Sequence, residues 1–372
     1  MMRLIAFAIL LSYFTMACTR AVDVELVDDQ ATKETKALFR NLMKIQNEGK
    51  VLFGHQEATS YGRKWVDGND RSDVKDVTGS HPAVIGLDFA AVTTNDPVYF
   101  EKAKRMLATS VMDTHRRGGI STFAWHASNP ANDGSFYWEK DSIKVVTDIL
   151  PEGHLYEKYK RYLKAIADVS SAFVDESGKL IPVIFRPFHE FDGDWFWWGK
   201  GHCTKDEFIS LWQFTVDYLK NDLEVHNFIY AFSPDCRFAT EADFLDYYPG
   251  DEYVDMLGMD NYWDFRPDGT NNPALAEAKL KIVADIAAKK NKLAAFTETG
   301  LEGIPQADWF TATLLPILKK VNVCYVLVWR NASDMEHHYY APDKGHPAEA
   351  DFKKFCADEI ILMERDLQDI YK

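Results

Sequence analysis

Eight short apolar runs recur along this 372-residue chain, set apart by polar loops and by segments of helical periodicity. They occupy residues 51–56, 83–89, 120–126, 181–190, 228–234, 256–262, 293–300 and 323–331. Apolar side chains fill these runs nearly throughout instead of alternating with polar ones, the pattern of parallel strands buried on both faces. Helix signals fall before and between them. Residues 32–46 read as a first helix, and Thr204-x-x-Glu207 is a capping box opening a helix that carries Phe208, Leu211 and Trp212. A helix over 100–117 stops at Gly118-Gly119, and 272–291 places Ala, Leu, Ile and Val on one face. Strands alternating with helices imply a parallel sheet. Eight such units predict an α/β fold, a single-domain (β/α)8 TIM barrel spanning residues 32–372.

In a barrel of this kind the chemistry sits at the C-terminal ends of the strands. Two of those ends place a glutamate where an apolar run gives way to a polar loop. Glu190 follows Phe185-Arg186-Pro187-Phe188-His189 at the end of the fourth run, and Glu298 lies within Phe296-Thr297-Glu298-Thr299-Gly300 at the end of the seventh. One such glutamate is most often a solvated loop carboxylate. Two at equivalent positions of one barrel need another account, because burying a carboxylate beside a strand is costly unless it is partnered. Glycoside hydrolysis supplies one: it needs a proton donor and a nucleophile or base across the scissile bond.

The strand ends carry further markers: Gly54-His55-Gln56, Gly86-Leu87-Asp88, Trp125-His126, Trp195 with Phe196-Trp197-Trp198-Gly199, Asp260-Asn261-Tyr262 and Trp329-Arg330-Asn331. In this order, with the two glutamate motifs among them, the chain resembles glycoside hydrolase family 26 from about Lys50 onward. The members of that family are mostly retaining β-1,4-mannanases. The resemblance implies Glu190 as general acid and then base, with a raised pKa supplied by partial desolvation and by negative charge at Glu298. It implies Glu298 as the nucleophile, Tyr262 as the tyrosine that hydrogen-bonds it, and His189 in place of the asparagine that precedes the acid in related barrels. His126 is then a sugar-binding histidine in the subsite of the cleaved residue, and Trp195 an aromatic platform near the acid. Trp329 floors the cleft and Arg330 reaches a more distal sugar. Trp138, in the long connection after the third run, adds a further face. His55 and Asp88 either bind sugar or orient His126 and its neighbours. Arg186 and Asp260 read as ion-pair partners.

The resemblance implies β-mannan or manno-oligosaccharides as the substrate, with mixed-linkage β-glucan or β-1,3-xylan as the alternative on the same machinery. A non-catalytic glycan-binding lipoprotein is the alternative of a different class, expected if either carboxylate were missing. No metal or organic cofactor is implied, since two carboxylates suffice for the chemistry. Composition narrows the partners. A formal net charge of −15 argues against nucleic acid or an anionic membrane face. Ten tryptophans, many in loops, suit stacking on the apolar faces of sugars.

At the N-terminus, Met1-Met2-Arg3 followed by an apolar stretch too short to span a bilayer reads as a signal peptide over residues 1–17. Thr15-Met16-Ala17-Cys18 resembles a bacterial lipoprotein cleavage site, which makes Cys18 the lipidated residue and 18–31 a tether. The expected location is the bacterial cell envelope, as a periplasmic outer-membrane lipoprotein, with secretion as the alternative. Cys203, Cys236, Cys324 and Cys356 are scattered without metal-ligand spacing and are expected to be free thiols.

Overall fold

A computed structural model describes residues 26–372 apart from 67, 69 and 141. Cys18 and the rest of the predicted signal and tether up to residue 25 lie outside the described residues. Eight parallel strands close on themselves: β1 Val51–Gln56, β2 Val84–Asp88, β3 Ile120–Ala124, β4 Val183–Arg186, β5 Phe228–Phe232, β6 Met256–Asn261, β7 Leu293–Thr299 and β8 Tyr325–Val328. Each pairs with its sequence neighbours, and β8 returns to β1 with Leu52 opposite Tyr325. This is the (β/α)8 barrel that the run pattern predicts. A two-residue strand, Ile361–Leu362, adds to the start of β1 outside the closed circle.

Side-chain alternation along each strand separates two cores. Leu52, Ile120, Ile184, Ile229 and Leu293 point into the barrel, where they join Leu38, Phe39 and Leu42 of the helix Lys33–Asn47 in one apolar cluster. That helix therefore closes the bottom of the barrel, and Gln46 on it accepts a hydrogen bond from the Ala294 amide (2.7 Å). The alternate residues, such as Phe53, Val183, Phe185 and Tyr230, face outward into the larger core beneath the surrounding helices. Both helix-end signals, one a start and one a stop, operate as predicted. Thr204 and Glu207 cap the helix Lys205–Asp217 reciprocally, and Pro97–Arg117 ends at Gly118 in the left-handed region (φ 91°).

Several strands are shorter at their C-terminal ends than their apolar runs. The clearest case is the fourth, where the run 181–190 yields strand only over Val183–Arg186. Pro187 follows, and Phe188 (φ 49°) and Glu190 (φ 53°) both take left-handed backbone that no ladder can continue. The apolar residues beyond the ladder are still buried. Phe188 is fully covered, with Trp125, Trp198 and Trp212 rings about it. Apolar continuity marks burial at this end, not extended backbone. The four described cysteines are buried and free.

Candidate active site

Glu298 sits in β7 opposite Asp260 of β6, just past a β-bulge: Gly258 pairs with Ala295, and the next pair recorded is Asp260 with Glu298. That register sets two carboxylates side by side in the interior, and Arg186 at the end of β4 answers both. Its guanidinium donates to Asp260 (2.7 Å) and to a carboxylate oxygen of Glu298. All three side chains are buried. Tyr262, just past β6, donates its hydroxyl to the other oxygen of Glu298 (2.9 Å). Arg186 and Asp260 thus form the ion pair expected of them, and Arg186 also grips the candidate nucleophile. Burial weighs against the guanidinium's charge, but Asp260 and Glu298 outweigh it and hold the group firmly protonated.

Glu190 is set differently. Its left-handed backbone turns it off the line of β4, while its amide still donates to the Ser233 carbonyl at the end of β5 (2.9 Å). Trp195 donates its indole N–H to the carboxyl (2.7 Å). Oxygens of Glu190, Asp260 and Glu298 all lie within 4.8 Å of one another. Burial pushes the Glu190 carboxyl well above the usual range, and the charges of Asp235, Glu298 and Asp260 add to the rise. Glu298 was the expected source of that charge; Asp235, just past the end of β5, contributes more. Asp235 is itself held by the neighbouring Asp192, whose carboxylate accepts the Asp235 amide (2.6 Å) and the Arg237 amide (3.2 Å).

On the other side of Glu298 stands a histidine pair. Asp88, at the end of β2, accepts from His126 Nδ1 (2.5 Å) and from the His126 amide (3.1 Å). Burial lowers the His126 pKa, but the Asp88 charge and hydrogen bond overcome it, and the net shift is upward. His189 lies behind it, with the two Nε2 atoms 3.2 Å apart. Burial, the charge of His126 and that of Arg186 push His189 well below the ordinary imidazole range, so it is the neutral member of the pair. Asp88 therefore orients His126. His189 is buried behind His126, and its Nδ1 has no protein partner. His55 is buried at the end of β1, and neither ring nitrogen has a protein partner. Its burial pushes the imidazole down to about 4.

Trp329 and Arg330, just past β8, are partly exposed, and Trp329 stands edge-on to His126 (6.0 Å between ring centroids). Arg330 donates to the Tyr61 hydroxyl (3.4 Å) from the far side. Trp138 stacks on His202 (3.8 Å), and its amide donates to the Trp195 carbonyl (2.6 Å), so it braces the loop that carries Trp195. Its neighbour Tyr137 is half-exposed, and after burial the charges of Glu190 and Glu298 are what raise its hydroxyl. The sequence reading passed over Tyr137, Glu57 and Asp235. Glu57 directly follows the Gly54-His55-Gln56 motif. Its carboxyl is pushed up to about 7, chiefly by burial, despite the nearby Arg330. An acid at each of these strand ends was the available signal.

The model of glycosyl hydrolase family 26 matches residues 27–337 of the chain. A mannan endo-1,4-β-mannosidase of Bifidobacterium adolescentis is 32% identical over 361 residues, 91% of this chain; the chain spans about a third (35%) of that protein's length. A mannan endo-1,4-β-mannosidase of Bacillus subtilis is 26% identical over 87% of this chain and 89% of its own length. Among solved structures, a family 26 protein from Muricauda sp. MAR_2010_75 superposes with a TM-score of 0.88 at 37% identity, covering 95% of this chain and 99% of that one. A family 26 β-mannanase from Bacteroides ovatus gives a TM-score of 0.85 at 37% identity over 92% of this chain and 98% of its own.

Proposed function

The chain belongs to glycosyl hydrolase family 26, and from that premise we propose that it cleaves β-1,4-mannosidic bonds in mannan or manno-oligosaccharides with retention of configuration. The separation of the two glutamates carries the mechanism. An oxygen of one lies within 4.8 Å of an oxygen of the other, in keeping with the roughly 5–5.5 Å of retaining enzymes and short of the roughly 6.5–9.5 Å that leaves room for an inverting water. The names of the Bifidobacterium and Bacillus relatives support mannan as the substrate.

In the first step the protonated Glu190 gives its proton to the glycosidic oxygen as the bond to the anomeric carbon breaks. An oxygen of Glu298 takes that carbon and forms a glycosyl ester. Arg186 and Tyr262 hold the attacking carboxylate from two directions, which fixes its aim before substrate arrives. In the second step water loses a proton to Glu190, attacks the same carbon, and frees Glu298. Esterification removes the negative charge of Glu298 beside Glu190. One of the charges that raise the Glu190 pKa is then gone, which lowers it and favours its switch from acid to base. Trp195 contacts the acid directly through its N–H.

Proton NMR of the first product released from mannohexaose tests the mechanism: a β-anomer that later mutarotates is expected, and an initial α-anomer would refute retention. Glu298→Ala should abolish turnover. Glu190→Ala should keep activity on aryl glycosides whose leaving groups need little proton assistance, and equal loss on both substrate kinds would overturn the role assignment. From Thr15-Met16-Ala17-Cys18 alone we also propose attachment to the bacterial envelope through lipidated Cys18.

A further inference from the structure

Beyond Glu190 the barrel top opens into a cavity of about 760 Å³. It is bounded by the loops after β5 and β6, with Glu190, Trp195 and Tyr262 at its inner rim. Glu298, His126, Trp329 and Arg330 are not among its walls. With Glu190 as the proton donor, its proton goes to the leaving oxygen, so the space on this side of it belongs to the leaving group. The volume falls in the range of about 300–1,000 Å³ typical of small-molecule sites and exceeds what one sugar ring fills.

Two Trp–Arg units stand in its walls. Arg237 lies 4.9 Å over the Trp195 ring, and Arg266 lies 5.9 Å from the Trp263 ring. The Trp195 ring packs on Gly193, where an added Cβ would come within 2.3 Å of it, and Arg237 stands over the same indole. Trp263 is 47% exposed, unusual for an indole beside a cavity that no protein group fills. Its loop is rigidly built. Asn261 donates to Asp264 (2.8 Å), and Thr270 (2.7 Å) and Lys279 (2.8 Å) do the same, so Asp264 ties the loop to the following helix. Arg266 is itself paired with Asp268, its Nε donating to one carboxylate oxygen (2.9 Å) and its Nη2 to the other, so it meets a ligand with its remaining N–H groups. An exposed indole next to such donors matches a pyranose, which offers C–H groups on one face and hydroxyls at its rim.

We propose that Trp263 with Arg266 forms a second subsite on the leaving-group side, binding the sugar two residues past the cut, outward from the one that meets Trp195. The inference rests on Glu190 being the acid. It makes Trp263 a specificity-determining residue: it sets where along a short oligomer the chain is cut.

The test uses mannopentaose tagged at its reducing end and follows which tagged fragments appear. In the wild type, cuts that place two sugars past the cleavage point draw on Trp263, and cuts that place one do not. Trp263→Ala should lower the ratio of tagged disaccharide to tagged monosaccharide by about two- to tenfold, the worth of one aromatic stacking contact, and Trp263→Phe should restore most of it. A ratio unmoved in Trp263→Ala overturns the subsite while leaving the mannanase reading intact. A uniform loss of all products at constant ratio assigns Trp263 a structural role and likewise overturns it. Failure of the wild type to cut any manno-oligosaccharide would overturn the mannan reading, and the subsite as a mannosyl site with it.

Discussion

Removing a single hydroxyl, by Tyr262→Phe, isolates how Glu298 is held. Glu298 has two donors: the Arg186 guanidinium on one oxygen and the Tyr262 hydroxyl on the other, at 2.9 Å. The substitution deletes only the second, since the ring keeps its edge contact with Tyr340 (5.5 Å, 64°). A hydrogen bond to a charged group contributes about 1.5–3 kcal/mol, or roughly 10- to 150-fold. The bond weakens as charge leaves Glu298 for the forming ester, so the rate shows less than the full amount and the low end is favoured by this route. Positioning argues the other way, because a carboxylate free to swing about its remaining donor loses aim, and a displacement of about 1 Å costs on the order of a hundredfold. The two together place the loss in kcat/KM at about 10- to 100-fold. Reducing-sugar release from mannohexaose measures it, and calorimetry should find the melting temperature nearly unchanged. A loss below about threefold in a fully folded variant would refute the claim that this hydroxyl aims the nucleophile.

Asp235→Asn should move the alkaline limb of the kcat/KM profile to lower pH. Glu190 must stay protonated to act, its carboxyl is raised by burial and then by Asp235, and Asp235, which itself titrates at about 6, is charged above that pH; a limb that stays put or moves up would contradict this. Arg330→Ala should reduce kcat/KM on mannan and manno-oligosaccharides about ten- to a hundredfold, with a smaller loss on a substrate carrying one sugar on the non-reducing side of the cut; equal losses would place Arg330 in support of the barrel. Cys18→Ala should shift the protein from the membrane to the soluble envelope fraction, and unchanged fractionation would rule out the lipid anchor.

The barrel and the meeting of Glu190 with Glu298 were legible because both rest on local signals: apolar runs, and a carboxylate set against each of two of them. What stayed hidden depends on which residues the closed sheet brings side by side. Arg186 could be read as an ion-pair residue, but its reach to Glu298 follows from the β6–β7 register that sets Asp260 beside Glu298. Asp235 lies far from Glu190 in sequence, and the two share a cavity only because the ends of β4 and β5 adjoin. Composition favoured Trp138 as a cleft face because tryptophan is the usual sugar platform. The chain uses that ring to brace His202, while Tyr137, one residue earlier, senses both catalytic carboxylates. Neighbouring residues in an irregular loop point in different directions, and no periodicity says which.

The left-handed backbone at Phe188 and Glu190 explains how one sheet sets two glutamates in opposite surroundings. Such conformations cost of order 1–3 kcal/mol each for residues other than glycine, and here the buried Phe188 ring among Trp125, Trp198 and Trp212 anchors the kink. Had β4 run straight on to residue 190, its carboxylate would have entered the same interior row as Asp260 and Glu298 and competed for Arg186. The kink carries it instead to the rim, where its neighbours are Asp235 and the indole of Trp195. Glu298, still within β7 just past its bulge, receives an arginine and a phenol. Donors gathered on one carboxylate and negative charge on the other set the two apart before any substrate binds, as the proposed division into nucleophile and acid requires, and the turn that follows β4 makes that separation possible.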